Sequence, residues 1–215
     1  MPATSDVIVP VRRISPGGVH CFFGYYDVPA ADPDGRHLCH LVKFRDRFPT
    51  PADVAALGWL TLPHRNGSTP GEPRFEQFAK TRAWNFQQGA MLQWLPARTD
   101  TCIYNIFENG RFGACLHNVR TNERLSLPLP VASVSRDGTR ALCINMARLY
   151  DFRPGYGYEE APDPGAAIAA PHDDGVFMLD LASGRTRLIL SLAKAADFLE
   201  QSGESVKGRK VPSTT

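Results

Sequence analysis

The sequence has little excess of either charge, no long apolar run and no recognisable leader. Its 215 residues carry 24 Lys and Arg against 22 Asp and Glu, a formal net charge of +2. Nucleic acids and anionic membranes select clustered basic side chains, and the one local basic cluster lies at 207–210. No apolar run approaches the ~20 residues that a membrane-spanning helix needs. Neither nucleic acid nor membrane is therefore predicted as a partner.

Cysteine pairs and nucleotide or hydrolase motifs are also missing. The five cysteines form no Cys-x-x-Cys spacing and lie in apolar, strand-like segments: Cys21, Cys39, Cys102, Cys115 and Cys143. They are predicted to be buried thiols in a reducing compartment. Because no basic segment followed by an apolar stretch opens the chain, no secretory signal is expected, and the predicted location is cytoplasmic. No glycine-rich phosphate loop and no Gly-x-Ser-x-Gly turn occurs, so nucleotide binding and serine hydrolysis have no support.

Helical periodicity is scarce, whereas short apolar runs recur between turn residues. The 18 Gly and 18 Pro fit the turns of an all-β protein with many strands. One helix is predicted at 191–200, where Ser191 can cap the start and Gly203 follows the end.

A repeat of four strands occurs three times along the chain. The predicted strands are 21–28, 37–44, 58–62 and 74–78; then 90–95, 102–107, 114–119 and 124–127; and finally 131–134, 140–147, 176–181 and 186–190. Polar turns at 65–69, 120–123 and 182–185 precede the fourth strand of each unit. The repeat predicts one domain over 1–192, with units at about 20–80, 85–130 and 131–192, followed by a short helix and polar tail at 193–215.

Repeated four-stranded antiparallel units are typical of the blades of a β-propeller, so the predicted fold is a partial propeller of about three blades. A β-sandwich built from the same hairpins is the alternative. Since a closed ring takes roughly four to eight blades, the chain is a fragment, assembles with other copies, or leaves the ring open. The apolar strands at 176–181 and 188–190 would then lack a covering blade. We expect self-association through the open blade faces.

Two turns resemble those of known propellers. The segments Asp-Pro-Asp-Gly-Arg at 32–36 and Val-Ser-Arg-Asp-Gly-Thr-Arg at 134–140 resemble the turn of TolB-like and WD40-like repeats. The stretch 93–110 is similar to a blade of oligogalacturonate lyases, in which an aromatic residue and Pro precede a Thr-Asp turn.

The second resemblance implies a relative of enzymes that cleave short pectin fragments by β-elimination, using a divalent metal held by His and Gln side chains and a His base. Those motifs belong to later blades of that family, so no catalytic residue or metal ligand is assigned here. No cofactor is expected in this chain, and a divalent metal such as manganese would enter only if further blades supplied its ligands. The chain alone is expected to lack lyase activity.

The histidines are scattered. His37 and His40 lie three apart on a predicted strand, where side chains alternate between faces, so they are predicted to pack or face solvent rather than share a metal. His117 is interpreted in the same way. His20 and Asp27 could form an acid–base pair, but the aromatic residues between them favour a core and interface role: Phe22, Phe23, Tyr25 and Tyr26.

The first candidate binding segment, 82–89, joins two predicted blades. It combines a guanidinium, an aromatic ring and amides that both donate and accept hydrogen bonds: Arg82, Trp84, Asn85, Gln87 and Gln88. Arg matches a carboxylate, and an aromatic ring covers the apolar face of a sugar. The alternative, which the residue types favour, is that Trp84 fills the core and the amides satisfy buried backbone between blades.

The second candidate segment, 147–158, opens an insertion of about 25 residues, longer than the ~2 to 5 of a normal hairpin loop. Its Arg and Tyr side chains favour an ordered binding loop: Arg148, Tyr150, Arg153, Tyr156 and Tyr158. Acidic residues follow at Glu159, Glu160, Asp163, Asp173 and Asp174. The stretch 161–170 is predicted to be a flexible tip.

Two functions remain open. The first is recognition of an acidic oligosaccharide through Arg82, Arg148 and Arg153, with Trp84 and the tyrosines as platforms. The second is a non-enzymatic propeller segment that serves as a binding or assembly surface. An aromatic, Arg-rich loop suits either a carbohydrate or a protein partner.

Overall fold

The computed structural model describes residues 13–61, 73–96 and 98–203. This part of the chain folds into three four-stranded antiparallel sheets and two helices. The prediction of a mostly β protein with three repeated four-stranded units is confirmed. The predicted turn at 65–69 and the end of the predicted tail, 204–215, lie outside the described residues.

Each sheet takes four strands in chain order, so every neighbour in sequence is also a neighbour in space. Sheet 1 contains β1 (His20–Phe22), β2 (Arg36–Val42), β3 (Ala55–Thr61) and β4 (Phe75–Thr81). Sheet 2 contains β5 (Gln93–Trp94), β6 (Thr101–Glu108), β7 (Arg111–Asn118) and β8 (Glu123–Leu127). Sheet 3 contains β9 (Val131–Val134), β10 (Arg140–Cys143), β11 (Gly175–Asp180) and β12 (Thr186–Ser191).

The helices are α1 (Met146–Phe152) and α2 (Leu192–Gln201). The predicted C-terminal helix is confirmed, and the Ser191 side chain caps it by accepting a hydrogen bond from the Lys194 N–H. Helix α1 was not predicted. It begins where the strand predicted at 140–147 ends early, because Asn145 caps it by accepting from the Arg148 N–H. A helix of 7 residues is too short to show a helical period.

Sheet 2 packs between the other two sheets. Strand β6 alternates, with Cys102, Tyr104 and Ile106 in the core shared with sheet 1 and Ile103 in the core shared with sheet 3. Both faces of β6 are therefore buried, which explains why its sequence is nearly continuously apolar. In the described part of the chain neither helix has the length and apolarity to cross a bilayer.

A completely buried polar side chain bonds across each pair of neighbouring sheets. The His40 Nε2 atom accepts a hydrogen bond of 2.9 Å from the Ala90 N–H, just before β5. Asn105 bonds both backbone groups of Val131 in β9, accepting from its N–H at 2.7 Å and donating to its carbonyl at 2.9 Å. His40 and Asn105 occupy equivalent positions, each four residues after the first residue of its strand. Both side chains are completely buried.

The other predicted core residues lie largely as expected. His37 is half-buried and near Phe23, and His117 is buried and within 2.9 Å of the Asn122 side chain. All five cysteines are free thiols, and only Cys21 is less than fully buried. These positions agree with the interpretation of packed strand histidines and buried thiols.

We expect His40→Ala to destabilise the protein by about 3 kcal/mol at pH 7.5, because it removes a buried ring and leaves the Ala90 N–H without its acceptor. Burial lowers the pKa of His40 from 6.5 to about 4. The unfolded chain therefore takes up a proton below pH 6.5 that the folded chain resists, and this stability is lost as pH falls towards 4. Urea unfolding should show the two proteins converging on acidification. The exposed His20→Ala is the control, and an unchanged difference at pH 5 would contradict the prediction.

Candidate functional site

The two candidate segments meet at one edge of the sheets. Because the strands run up and down in order, the connections after β2, β4, β6, β8 and β10 leave the same edge, and three of them are long: 43–54, 82–92 and 144–174. We call this surface the loop edge. The Trp84 Nε1 atom donates to the Asp53 carbonyl at 3.0 Å, and the Asn85 Nδ2 atom donates to the Gly157 carbonyl at 2.8 Å. All three connections are thereby joined.

Gly157 is the point where the two candidate segments bond. Its N–H donates to Gln88 Oε1 at 3.1 Å, while its carbonyl accepts from Asn85. Asn85 in turn accepts from the backbone N–H groups of Gln87 and Gln88 at 2.9 and 2.6 Å. Gly157 has φ +67°, and a Cβ there would collide with the Met146 carbonyl oxygen. The amides of Asn85 and Gln88 therefore hold the insertion in place. This is the role in satisfying buried backbone that the alternative to ligand binding gave them.

Tyr158 anchors the insertion in the core. Its ring is 1% exposed, and its hydroxyl donates to the Gly89 carbonyl at 3.3 Å and accepts from Asn105 Nδ2 at 2.9 Å. Burial raises the pKa of this phenol well above its ordinary value. The same Asn105 that joins sheets 2 and 3 thus also fixes the insertion.

Arg148 is fully engaged within the insertion. Its guanidinium pairs with Asp163 at 2.9 Å and Asp174 at 3.1 Å and donates to the carbonyls of Gly165 and Ile168. The stretch 161–170, predicted to be a flexible tip, is instead tied to α1 by these bonds. Arg148 therefore has no donor edge left for a ligand, because Nε and both terminal nitrogens are in use.

Trp84 is also part of the structure rather than of an exposed platform. Its ring is 3% exposed and packs against Phe22 and Phe86. The remaining predicted site residues are accessible. Arg82, Gln87 and Arg153 are exposed, and Gln88, Tyr150 and Tyr156 are half-buried.

The accessible aromatic residues gather beside Arg153. The Arg153 guanidinium carbon lies 4.0 Å from the centre of the Tyr156 ring. The ring centres of Tyr25 and Tyr26 are 4.5 Å apart. The hydrogen bond with the Tyr26 hydroxyl, with a smaller contribution from Tyr156, raises the pKa of Tyr25 to about 12. Tyr26 is 85% exposed. We call these four residues the tyrosine ledge.

Phe22, Phe23, Tyr25 and Tyr26 were expected to be core and interface aromatics, and a core position is wrong for Phe23 and Tyr26, which are 41% and 85% exposed. Phe22 does pack against the core, but Gly24 has φ +104° and ends the extended backbone. A turn follows, in which the Val28 N–H donates to the Tyr25 carbonyl. The Gly between two aromatic pairs was the only sequence signal for this change of direction. His20 and Asp27 are both exposed, and no ion pair joins them in the described ranges.

The opposite edge carries a groove of about 520 Å³ between the first turns of sheets 1 and 2. Arg36 lies beside it, with its guanidinium over the rings of Trp59 and Trp94 and paired with Asp32 at 2.5 Å and Asp100 at 2.6 Å. These bonds join the turn at 32–36 to the equivalent turn of sheet 2. The motif therefore acts in holding two sheets together.

The tyrosine ledge offers aromatic faces and one guanidinium, the groups that bind the apolar face and the carboxylate of an acidic sugar. No cluster of three or more His, Cys, Asp or Glu side chains able to hold a metal occurs within 13–61, 73–96 and 98–203. Comparisons of the chain with protein-family models, curated proteins and solved structures found no match. The function must accordingly be argued from the site itself.

Arg148→Lys should destabilise the protein by about 2 kcal/mol and expose 161–170 to protease, because a lysine cannot replace the planar fork that holds two carboxylates. Thermal unfolding and limited proteolysis measure the two effects. Arg153→Lys is the matched control, since Arg153 is exposed, and its melting temperature should stay within about 1 °C of the parent. Equal protease resistance of parent and Arg148→Lys would contradict this role.

Proposed function

We propose that the three sheets are consecutive blades of a β-propeller and that the loop edge binds an acidic oligosaccharide. The serial packing of the sheets supports the propeller. Sheet 2 uses one face against sheet 1 and the other against sheet 3, whereas a sandwich would need only two facing layers. The equivalent bonds of His40 and Asn105 repeat the same contact between successive sheets.

The observation that carries the ligand proposal is the placement of Arg153 over Tyr156. Among the described residues no carboxylate lies within 4.0 Å of the Arg153 nitrogens, so the fork is available to one from a ligand. Tyr25 and Tyr26 add aromatic surface beside it. The bonds of Gly157 to Asn85 and Gln88 fix the backbone next to Tyr156, so the ledge is preorganised.

Arg153→Lys is expected to weaken binding of trigalacturonate by about tenfold, because charge is kept while bidentate recognition of the carboxylate is lost. Tyr156→Ala should weaken it by a similar factor. Isothermal calorimetry at low salt measures both. Arg140→Lys, at the start of β10 on the opposite edge, is the control and should bind like the parent. No detectable heat with the parent protein would remove the proposed ligand class.

A second candidate function is assembly, favoured by the outer face of sheet 3. Ala141 and Cys143 belong to the core shared with sheet 2, so Leu142 between them points outward and is 41% exposed. Leu190 is 44% exposed, and Phe198 of α2 is 69% exposed. Exposed apolar surface of this kind favours association with another protein surface.

We expect the chain to self-associate at micromolar concentration, and Leu142→Lys with Leu190→Lys to shift it towards the monomer, because a buried ammonium opposes apolar contact. Sedimentation velocity over a range of concentrations reports the state. Gln87→Lys, which adds a lysine on the loop edge and away from this face, is the control. A parent protein that stays monomeric throughout would reject the assembly function.

A further inference from the structure

The carboxyl group of Glu160 is unusual in its surroundings. Its Oε2 atom is enclosed, yet within the described residues it has no hydrogen-bond partner, the one buried side-chain atom there in this condition. Buried polar atoms are nearly always bonded, so an exception calls for a physical reason. Burial raises the pKa of Glu160 to about 7, which keeps the carboxyl largely protonated in mildly acidic solution.

Arg82 is the nearby cation. It follows β4, is exposed, and stacks its guanidinium carbon 5.0 Å from the centre of the Phe107 ring. Its charge favours the ionised form of Glu160, so the two groups interact electrostatically. No ion pair within 4.0 Å forms between them or between Arg82 and any other carboxylate of the described ranges. Geometry places the two residues on either side of Asn105: Thr81, just before Arg82, donates its hydroxyl to the Asn105 carbonyl, and Tyr158, two residues before Glu160, accepts from Asn105 Nδ2.

We propose that Glu160 gates Arg82 as a second carboxylate-binding group of the loop edge. With Glu160 protonated, the Arg82 fork is open to a carboxylate ligand. With Glu160 ionised, the enclosed oxygen takes Arg82 as its missing partner, and Arg82 is withdrawn from the ligand. The identity of the ligand rests on the proposed function, whereas the pairing of Glu160 with Arg82 is independent of it.

The other groups around Glu160 do not substitute for Arg82. Tyr150 of α1 and Tyr158 interact with its charge but are neutral phenols at physiological pH, and burial raises the pKa of both. Glu159 carries a like charge, which opposes ionisation of Glu160. Arg82 is thus the one cation that favours ionised Glu160 among the described groups that act on it.

The sign of the pH effect follows from these charges. Below about pH 7 Glu160 is mostly neutral and Arg82 is open, and above it Glu160 is ionised and pairs with Arg82. A sugar carboxylate, with an ordinary pKa of about 3.5, stays ionised across the whole range. Binding of an acidic sugar should therefore weaken as pH rises, although the ligand charge does not change.

The test measures trigalacturonate affinity at pH 5.5 and 8.0 in the parent and in two matched variants. We expect the affinity of the parent protein to be about tenfold lower at pH 8.0 than at pH 5.5, which corresponds to the loss of one charge-assisted contact. Glu160→Gln keeps the shape but cannot ionise, so its affinity should change less than about twofold. Glu159→Gln removes a neighbouring charge and should retain the tenfold loss. A Glu160→Gln protein that keeps the full loss overturns the gate.

A second measurement needs no ligand. In carbon-detected NMR the Glu160 carboxyl should titrate with a midpoint near pH 7, and the Arg82 Nε signal should shift with the same midpoint in the parent but not in Glu160→Gln. If the signals move together and trigalacturonate does not bind at either pH, the proposed ligand is wrong and the pairing stands. An Arg82 signal that stays constant while Glu160 titrates refutes the pairing.

Discussion

The packing of three sheets in series depends on how buried polar groups are satisfied between them. A sheet that is covered on both faces must bury backbone where one sheet connects to the next, and each unpaired group there costs about 1–3 kcal/mol. His40 supplies the acceptor for Ala90, and Asn105 supplies both partners for Val131. Each such bond has a unique geometry, so it sets the position of the next sheet more strictly than apolar contact does.

The same contacts fix the backbone of the candidate site. Asn105 bonds Val131 and also the hydroxyl of Tyr158, and Tyr158 fixes the backbone that presents Tyr156 and Gly157. The insertion is therefore an extension of the core between sheets 2 and 3 rather than an independent loop. A long surface connection normally loses much conformational entropy when it binds a ligand. Here that cost is met in folding, by the bonds that Gly157 and Tyr158 form directly after Tyr156.

The repeat, the number of strands and the C-terminal helix could be predicted from the sequence, because alternation and turn residues act over a few neighbours. The site could be predicted only as two segments. Trp84 is the type of residue that forms an exposed platform, but its ring is buried. It bonds the Asp53 carbonyl, and a partner 31 residues earlier cannot be read from the local sequence. Tyr26 lies in an aromatic segment that is typical of a core, but it is exposed because Gly24 redirects the backbone. Burial of an aromatic side chain depends on distant packing, which local patterns do not encode.

The arginines show the same principle in electrostatic form. Arg36 pairs with three carboxylates and Arg148 with two, and those partners lie up to 64 residues away in sequence. Arg82 and Arg153 have no carboxylate within 4.0 Å in the described residues. A guanidinium that already holds two or more carboxylates stabilises the fold, whereas one without a carboxylate partner keeps its donor edge available. Availability of the fork, rather than the presence of arginine, is what distinguishes a binding residue here, and it is decided by the tertiary structure.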